Sequence, residues 1–427
     1  LKGTALVAEL VIHLGDHKTG TTALQGALTA GAIRIDGAAP FYQGPHHHRL
    51  ALPLMPRNAD LALARERLAE IGRLLDQSSA PTGVLSSEHF EYVAPERLAA
   101  LIAEVLPQYR DRLRLVAYVR PHVDRFVASF AERTKMGLQT DLMEPFLDRV
   151  IDQGMLDYAP RFARWRRVFG SGFTLRPYLR DALVQGDVVS DFAAWLAQGR
   201  AWHLQDPFLG NESLSLADLS VLRMLQLQAA ALPLPRSARG GMGWNLAEIM
   251  AATPDPGRVR LGIERRLAEQ IVTRFAGDAA ALDATYFSGG PMTRALQAAP
   301  ERALAAAQSL APGDCLTPAA LRIADSAGGL LLRVAAADPA RFAQAVRSPD
   351  KRQIPAAGSQ KSPRTGRPAP RPAPGAAAPA AGLADRLGRG LERWLGPGRA
   401  GRVSGVLGRL TRPLIRPLRA LRRRIGR

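Results

Sequence analysis

Apolar residues in the first 180 positions fall into short runs, separated by longer stretches in which they recur every three or four places. The runs "ELVIHLG" (9–15), "GVLSSE" (83–88), "LRLVAYV" (113–119) and "FTLRPYL" (173–179) predict β-strands buried on both faces. The intervening segments "TTALQGALTAG", "LALARERLAEIGRLL" and "PHVDRFVASFAERTKMG" carry helical spacing. Strands alternating with crossover helices predict an α/β fold, a central parallel sheet with helices on both faces. After "DFAAWL" (191–196) the pattern turns helical through "SLSLADLSVLRMLQLQAAAL" and "GRVRLGIERRLAEQIVTRFAG", and "LDATYFSGG" (282–290) reads as the end of the core.

The pattern divides the chain into four parts with no internal repeat. Residues 1–290 form the main domain and 291–345 an alanine-rich helical extension. Residues 346–381 have the Pro/Ala/Gly/Arg composition of an extended linker that buries too little to fold. In the tail, 382–427, Leu383, Leu387, Leu391 and Trp394 recur at helical spacing among arginines. Such a basic amphipathic segment is expected to meet an anionic membrane surface, where each arginine contributes roughly 1 kcal/mol.

Charge sharpens this division. The net +19 at first suggests a nucleic-acid binder, yet residues 351–427 hold 19 basic and two acidic residues. That leaves the preceding 350 residues at +2, so the basic character belongs to the tail and nucleic acid is not the expected partner. The single Cys315 excludes an internal disulfide framework, fits a reducing compartment and is expected to be a small buried apolar group. No run of 18 apolar residues and no leader pattern occurs, so a cytoplasmic protein is expected, with the tail peripheral on the inner membrane face.

Candidate chemistry begins at "HLGDHKTGTTALQ" (13–25), where a strand leads through a glycine-containing turn into a helix. Backbone N–H groups and the positive end of the helix dipole converge there, which makes an anion site. A nucleoside-triphosphatase loop places lysine after its last glycine and a hydroxyl beside it for magnesium. Here Lys18 precedes Gly20, so a nucleotide kinase is the poorer fit and stays as the alternative. A second strand–helix junction, "YVRPHVDRFVASF", sets Arg120 at the strand end, Pro121 in the first helical turn and Ser129 nine residues after the arginine.

The loop Lys18-Thr19-Gly20-Thr21-Thr22 resembles the first motif of sulfotransferases that use 3′-phosphoadenosine 5′-phosphosulfate (PAPS), and most of all a bacterial branch reading H-I-G-x-x-K-T-G-T-T. The resemblance spans roughly residues 8 to 290, taking in "LSSEHF", "RPYLRDALVQGDVVSDFAAWL", "NESLSLADLSVLRMLQ" and "ATYFSGG". It implies a P-loop-like fold and PAPS as co-substrate with no metal. Lys18, Thr19, Gly20, Thr21 and Thr22 would wrap the 5′-phosphosulfate, and Arg120 and Ser129 would hold the 3′-phosphate. The Arg-Lys-Gly adenosine clamp of the animal cytosolic enzymes is absent, which leaves Arg125, Arg133 and Lys135 as substitutes.

The acceptor, a hydroxyl or amine on a carbohydrate or lipid, needs a base. Glu88 follows the strand "GVLSS" at the edge where ligands collect in doubly wound folds. In "GPHHHRLA", His47 is the preferred histidine among His46, His47 and His48, with His17 and Asp16 as further candidates. Along an extended chain His89 would point away from Glu88. Three consecutive histidines with no partner at ligand spacing do not make a zinc site. A different class of protein, a non-catalytic scaffold binding membrane or nucleic acid through its tail, would keep the tail and lack donor binding.

Overall fold

Four apolar runs pair into one parallel sheet in the computed structural model, which describes residues 9–205, 214–253 and 258–346. Strands β1 (Glu9–His13), β3 (Thr82–Ser86), β4 (Leu113–Val119) and β5 (Phe173–Pro177) lie in the order β3-β1-β4-β5. Ile12 stands opposite Leu85 on one side and Leu115 on the other. A short antiparallel ribbon, β2 (Ile33–Ile35) with β6 (Trp202–Leu204), forms a separate pair.

Alternate side chains of the sheet enter two apolar layers, as period-two geometry requires. Leu10, Ile12, Leu85, Leu115, Ala117 and Val119 join the core made with α3 (Leu61–Asp76), α4 (Pro95–Val105), α5 (His122–Lys135), α6 (Met143–Asp152) and α7 (Tyr158–Phe169). Val11, Val84, Val116 and Tyr118 face α1 (Thr21–Thr29) and α8 (Val188–Ala197). The short α2 (His48–Ala51) leads the chain back toward α3. The protein is therefore an α/β fold with a central parallel sheet covered on both faces.

Beyond α8 the chain is helical. Helix α9 (Leu216–Ala230) starts at a reciprocal cap between Ser215 and Asp218, and α11 (Arg265–Tyr286) packs its Ile271, Phe275 and Leu282 into the first core. The expected boundary at 290 falls inside this packing, because Met292 and Leu296 of α12 (Pro291–Gln297) enter the same core. Helices α10 (Arg236–Ala251), α14 (Pro318–Ala337) and α15 (Pro339–Ala345) share a smaller core with α9 through Leu225, Met242, Leu332 and Phe342. Cys315, on α13 (Pro312–Cys315), is half-buried rather than buried, its thiol 3.5 Å from the Ser309 carbonyl. The linker beyond Val346 and the basic tail lie outside the described residues.

The strand order has a functional consequence. The chain passes from β1 to β3 on one side and from β4 to β5 on the other, so a crevice opens at the carboxyl ends of β1 and β4. The loops that leave those two strands carry Lys18 and Arg120.

Candidate active site

After β1 the backbone turns sharply, with both Lys18 (φ +68°) and Gly20 (φ +78°) in the left-handed region. A Cβ at Gly20 would lie 2.7 Å from Val188 Cγ1 and 3.3 Å from the Tyr178 ring, so only glycine fits. Gly20 caps α1 without any side-chain bond, whereas α3, α8 and α9 are capped by Asp60, Asp187 and Ser215. The first N–H groups of α1 are left open to a ligand in consequence. Thr19 turns inward, its hydroxyl donating to the Asp16 carbonyl (2.6 Å). Thr21 Oγ1 is buried without a partner and Thr22 is exposed at the same helix end.

Arg120 reaches this loop directly, its Nη1 donating to the Lys18 carbonyl oxygen at 3.1 Å while its guanidinium lies 5.7 Å from the Tyr178 ring centre. The Lys18 ammonium points to Glu132 of α5 (2.9 Å), which also takes Lys135 (2.7 Å). Burial works to raise the Glu132 carboxyl, but the two lysines outweigh it and hold the group below the usual carboxylate range.

Beneath the loop lies a buried lattice of two acids and two arginines. Asp16 pairs with Arg125 (3.2 Å) and Arg161 (3.0 Å), and Glu91 pairs with the same two (3.1 and 3.0 Å). His17 joins through its backbone N–H and its Nδ1, 3.2 and 2.5 Å from Glu91 Oε2, and its carbonyl accepts from Arg125. Burial disfavours the Glu91 charge, yet Arg125, Arg161 and His17 carry its carboxyl well below the ordinary value. Buried charges compensated in this way clamp the loop from below.

Ser129 belongs to that lattice. Its hydroxyl accepts from Arg125 Nε at 3.0 Å and the residue is 7% exposed, so the structure brings Lys18 and Arg120 together and turns Ser129 toward Arg125. Arg125 itself spends its donors on Ser129, His17, Asp16 and Glu91, which corrects its reading as an adenosine contact. Lys135 sits on the face of Trp244 (3.7 Å) and Arg133 lies over Phe146. Pro121 precedes α5 as its cap rather than occupying the first turn.

Glu88 stands where β3 meets the loop, its Cα 2.9 Å from where a Cβ on Gly15 (φ +50°) would be. The turn Glu88–Tyr92 is a 3-10 helix, so the alternation expected of an extended chain does not apply. His48 Nε2 is 3.1 Å from Glu88 Oε1, and the His48 ring also meets His89 (4.4 Å between centres). Burial alone would raise the Glu88 carboxyl; the His48 hydrogen bond and charge, its own backbone N–H and His17 outweigh it and bring it to about 2. His47 is 5% exposed, its Nδ1 accepts the Ser86 N–H (3.1 Å), and burial lowers its pKa to about 4. With that lone pair used, the neutral ring of His47 carries its proton on Nε2 and has no free site for another. His48 and not His47 faces the acid.

The sequence reading did not single out His48, Glu91, Glu132 or Arg161. For Glu132 a signal exists in the i, i+4, i+7 spacing of Arg125, Ser129 and Glu132, one polar stripe on α5. Arg161 lies 145 positions from Asp16 and has no local signature. Among the described residues no group of three or more His, Cys, Asp or Glu can hold a metal ion, and no helix is long and apolar enough to cross a membrane.

No family model and no curated protein matches the chain. Among solved structures it is similar to a sulfotransferase from Alicyclobacillus acidocaldarius, at 15% identity and a TM-score of 0.34, over 64% of this chain and 94% of that one. A likeness of that size carries no argument, so the functional reading rests on the site.

Proposed function

We propose that the protein is a sulfotransferase that moves a sulfuryl group from PAPS to a hydroxyl or amine acceptor. The observation that carries this reading is the meeting of Lys18 and Arg120 at the crevice between β1 and β4, beside an uncapped helix. Two cationic side chains from two strand–helix junctions suit a carrier with phosphate at two places. Thr21 Oγ1, buried and unpartnered, and the Gly20 turn fit a phosphate oxygen drawn close to the backbone. A nucleotide kinase fits less well, since Lys18 precedes the glycine.

In the proposed reaction the acceptor oxygen bonds to sulfur, its proton passes to Glu88, and the bond from sulfur to the phosphate oxygen breaks. Lys18 and the open N–H groups of α1 stabilise the electron pair left on that oxygen. A carboxylate at about 2 is ionised at every working pH, and it suffices because an oxygen already bonded to sulfur gives up its proton readily. Tyr92 is exposed beside His17 (5.4 Å between rings), and His46 and His89 flank His48. Flat rings with polar edges suit a sugar, so the acceptor is proposed to be a carbohydrate, free or carried on a lipid. The basic tail is proposed to hold the protein on the anionic cytoplasmic membrane face.

The test is donor protection followed by transfer. Adenosine 3′,5′-bisphosphate should raise the melting temperature, by linkage worth about 2.7 kcal/mol at 100 times its Kd, while ATP with magnesium should not. Sulfur-labelled PAPS should then label a product in cell extract. The same result from ATP, or no protection by the bisphosphate, refutes the reading.

A further inference from the structure

Resting on the reading of Glu88 as base, we infer that His48, set by Ser87, is the positioning residue that aims the Glu88 carboxylate at the acceptor. Ser87 Oγ accepts the His89 N–H (3.2 Å) and is hydrogen-bonded to His48 Nδ1 (2.8 Å), to which it donates when the ring is neutral. In the neutral ring that bond leaves the imidazole proton on Nε2, and in the charged ring Nε2 is protonated as well, so in either form an N–H faces Glu88 Oε1 at 3.1 Å. Two more rings hold it: His46 stacks on it at 3.4 Å and His89 meets it in a T-shaped contact at 4.4 Å.

His47 explains how this ring is delivered. Its N–H donates to the Ser86 carbonyl (2.8 Å) and its Nδ1 accepts the Ser86 N–H (3.1 Å), a two-bond clip that fixes the start of α2 to the end of β3. His48, the next residue, is thereby placed beside Ser87 and Glu88. The second carboxylate oxygen, Oε2, accepts from the Gln25 amide at a long 3.4 Å, which leaves a lone pair for the acceptor. Other titratable groups around Glu88 are His13 from β1, His17 from the loop, and His89 and Glu91 from its own turn.

Through the transfer step the acceptor proton goes to Oε2 and His48 keeps its own. His48 therefore controls the orientation and charge of Glu88 and does not exchange a proton with substrate. Without its Nε2–H, burial acts on Glu88 with less opposition and the carboxyl titrates higher.

The experiment follows hydrolysis of sulfur-labelled PAPS, with water as acceptor, between pH 4 and 8. Wild type should show a rate without an acid limb. His48→Leu should lose about 100-fold and acquire an acid limb, whereas His48→Gln, which restores an N–H donor, should recover most of the rate and the flat profile. A flat profile in His48→Leu, or no difference between the leucine and glutamine variants, overturns the inference; circular dichroism and adenosine 3′,5′-bisphosphate protection confirm that both variants fold. If wild type does not turn over PAPS, the proposed function fails separately. Carbon-13 NMR of the Glu88 carboxyl, assigned with Glu88→Gln, then still decides: its midpoint moves up in His48→Leu, or the inference is wrong.

Discussion

Arg120 Nη1 lies 3.1 Å from the carbonyl oxygen of Lys18, a residue 102 positions earlier in the chain. The contact joins the two loops that leave adjacent parallel strands, so the Arg120 guanidinium is positioned by the Lys18 backbone and the Lys18 ammonium by Glu132. Lys18→Ala should therefore lower turnover by roughly 10²–10³-fold, as loss of one preorganised donor does, with little loss of stability. Arg120→Ala should abolish protection by adenosine 3′,5′-bisphosphate. Wild-type kinetics in the lysine variant would remove it from the mechanism.

Glu132 holds the Lys18 ammonium at 2.9 Å, so an anion bound there, as proposed, would have to compete with it. Glu132→Gln should release the ammonium and tighten adenosine 3′,5′-bisphosphate by about tenfold, or ~1.4 kcal/mol. Calorimetric titration of the two proteins makes the comparison. Weaker binding in the variant would mean that Glu132 places the lysine instead of restraining it.

The lattice under the loop should be a stability element. Arg125→Met leaves Asp16 and Glu91 sharing one arginine, Arg161, with His17 on Glu91 besides, and a buried charge left short of a partner costs about 3–5 kcal/mol. Urea unfolding reads this loss. A change below 1 kcal/mol would show that the lattice does not clamp the fold.

Acid should weaken the protein below neutral pH. Burial lowers His13 and His47 from 6.5 to about 4, so between those values the unfolded chain binds protons that the folded chain refuses. Their contribution is complete above pH 6.5 and disappears as pH falls through about 4, worth on the order of 3 kcal/mol for each ring. The urea midpoint should fall steadily across that window, and His47→Gln should flatten the fall.

Gly20→Ala puts a side chain at φ +78° and against Val188, so the loop must move. The variant should fold and lose nucleotide protection, measured by thermal shift. Retained protection would mean that the turn tolerates another shape.

Much of the architecture was legible because its causes are local. The four strand runs announce themselves by apolar continuity, and their helices by spacing. Gly20 reads as a loop glycine because Lys18 and the threonines surround it. Helix α12 was less legible: Met292 and Leu296 look like part of an alanine-rich extension until α11 is seen beside them. Glu88 could be named from its place after a strand, but the choice among three adjacent histidines could not be made. Which ring faces the acid depends on the clip between His47 and Ser86, a contact between segments 39 positions apart.

By itself, the order of residues determined that this chain builds a parallel sheet and ends one strand in a glycine turn that opens a helix, since both follow from hydrophobic period and from glycine's left-handed backbone. Tertiary structure decided which charges meet. Lys18 with Glu132, Asp16 with Arg161, and Glu88 with His48 are pairs between distant segments, and only the packing of α5, α7 and α2 against the sheet brings each within hydrogen-bond reach. Electrostatic forces at that range depend on ångströms, and such distances are set by the whole core.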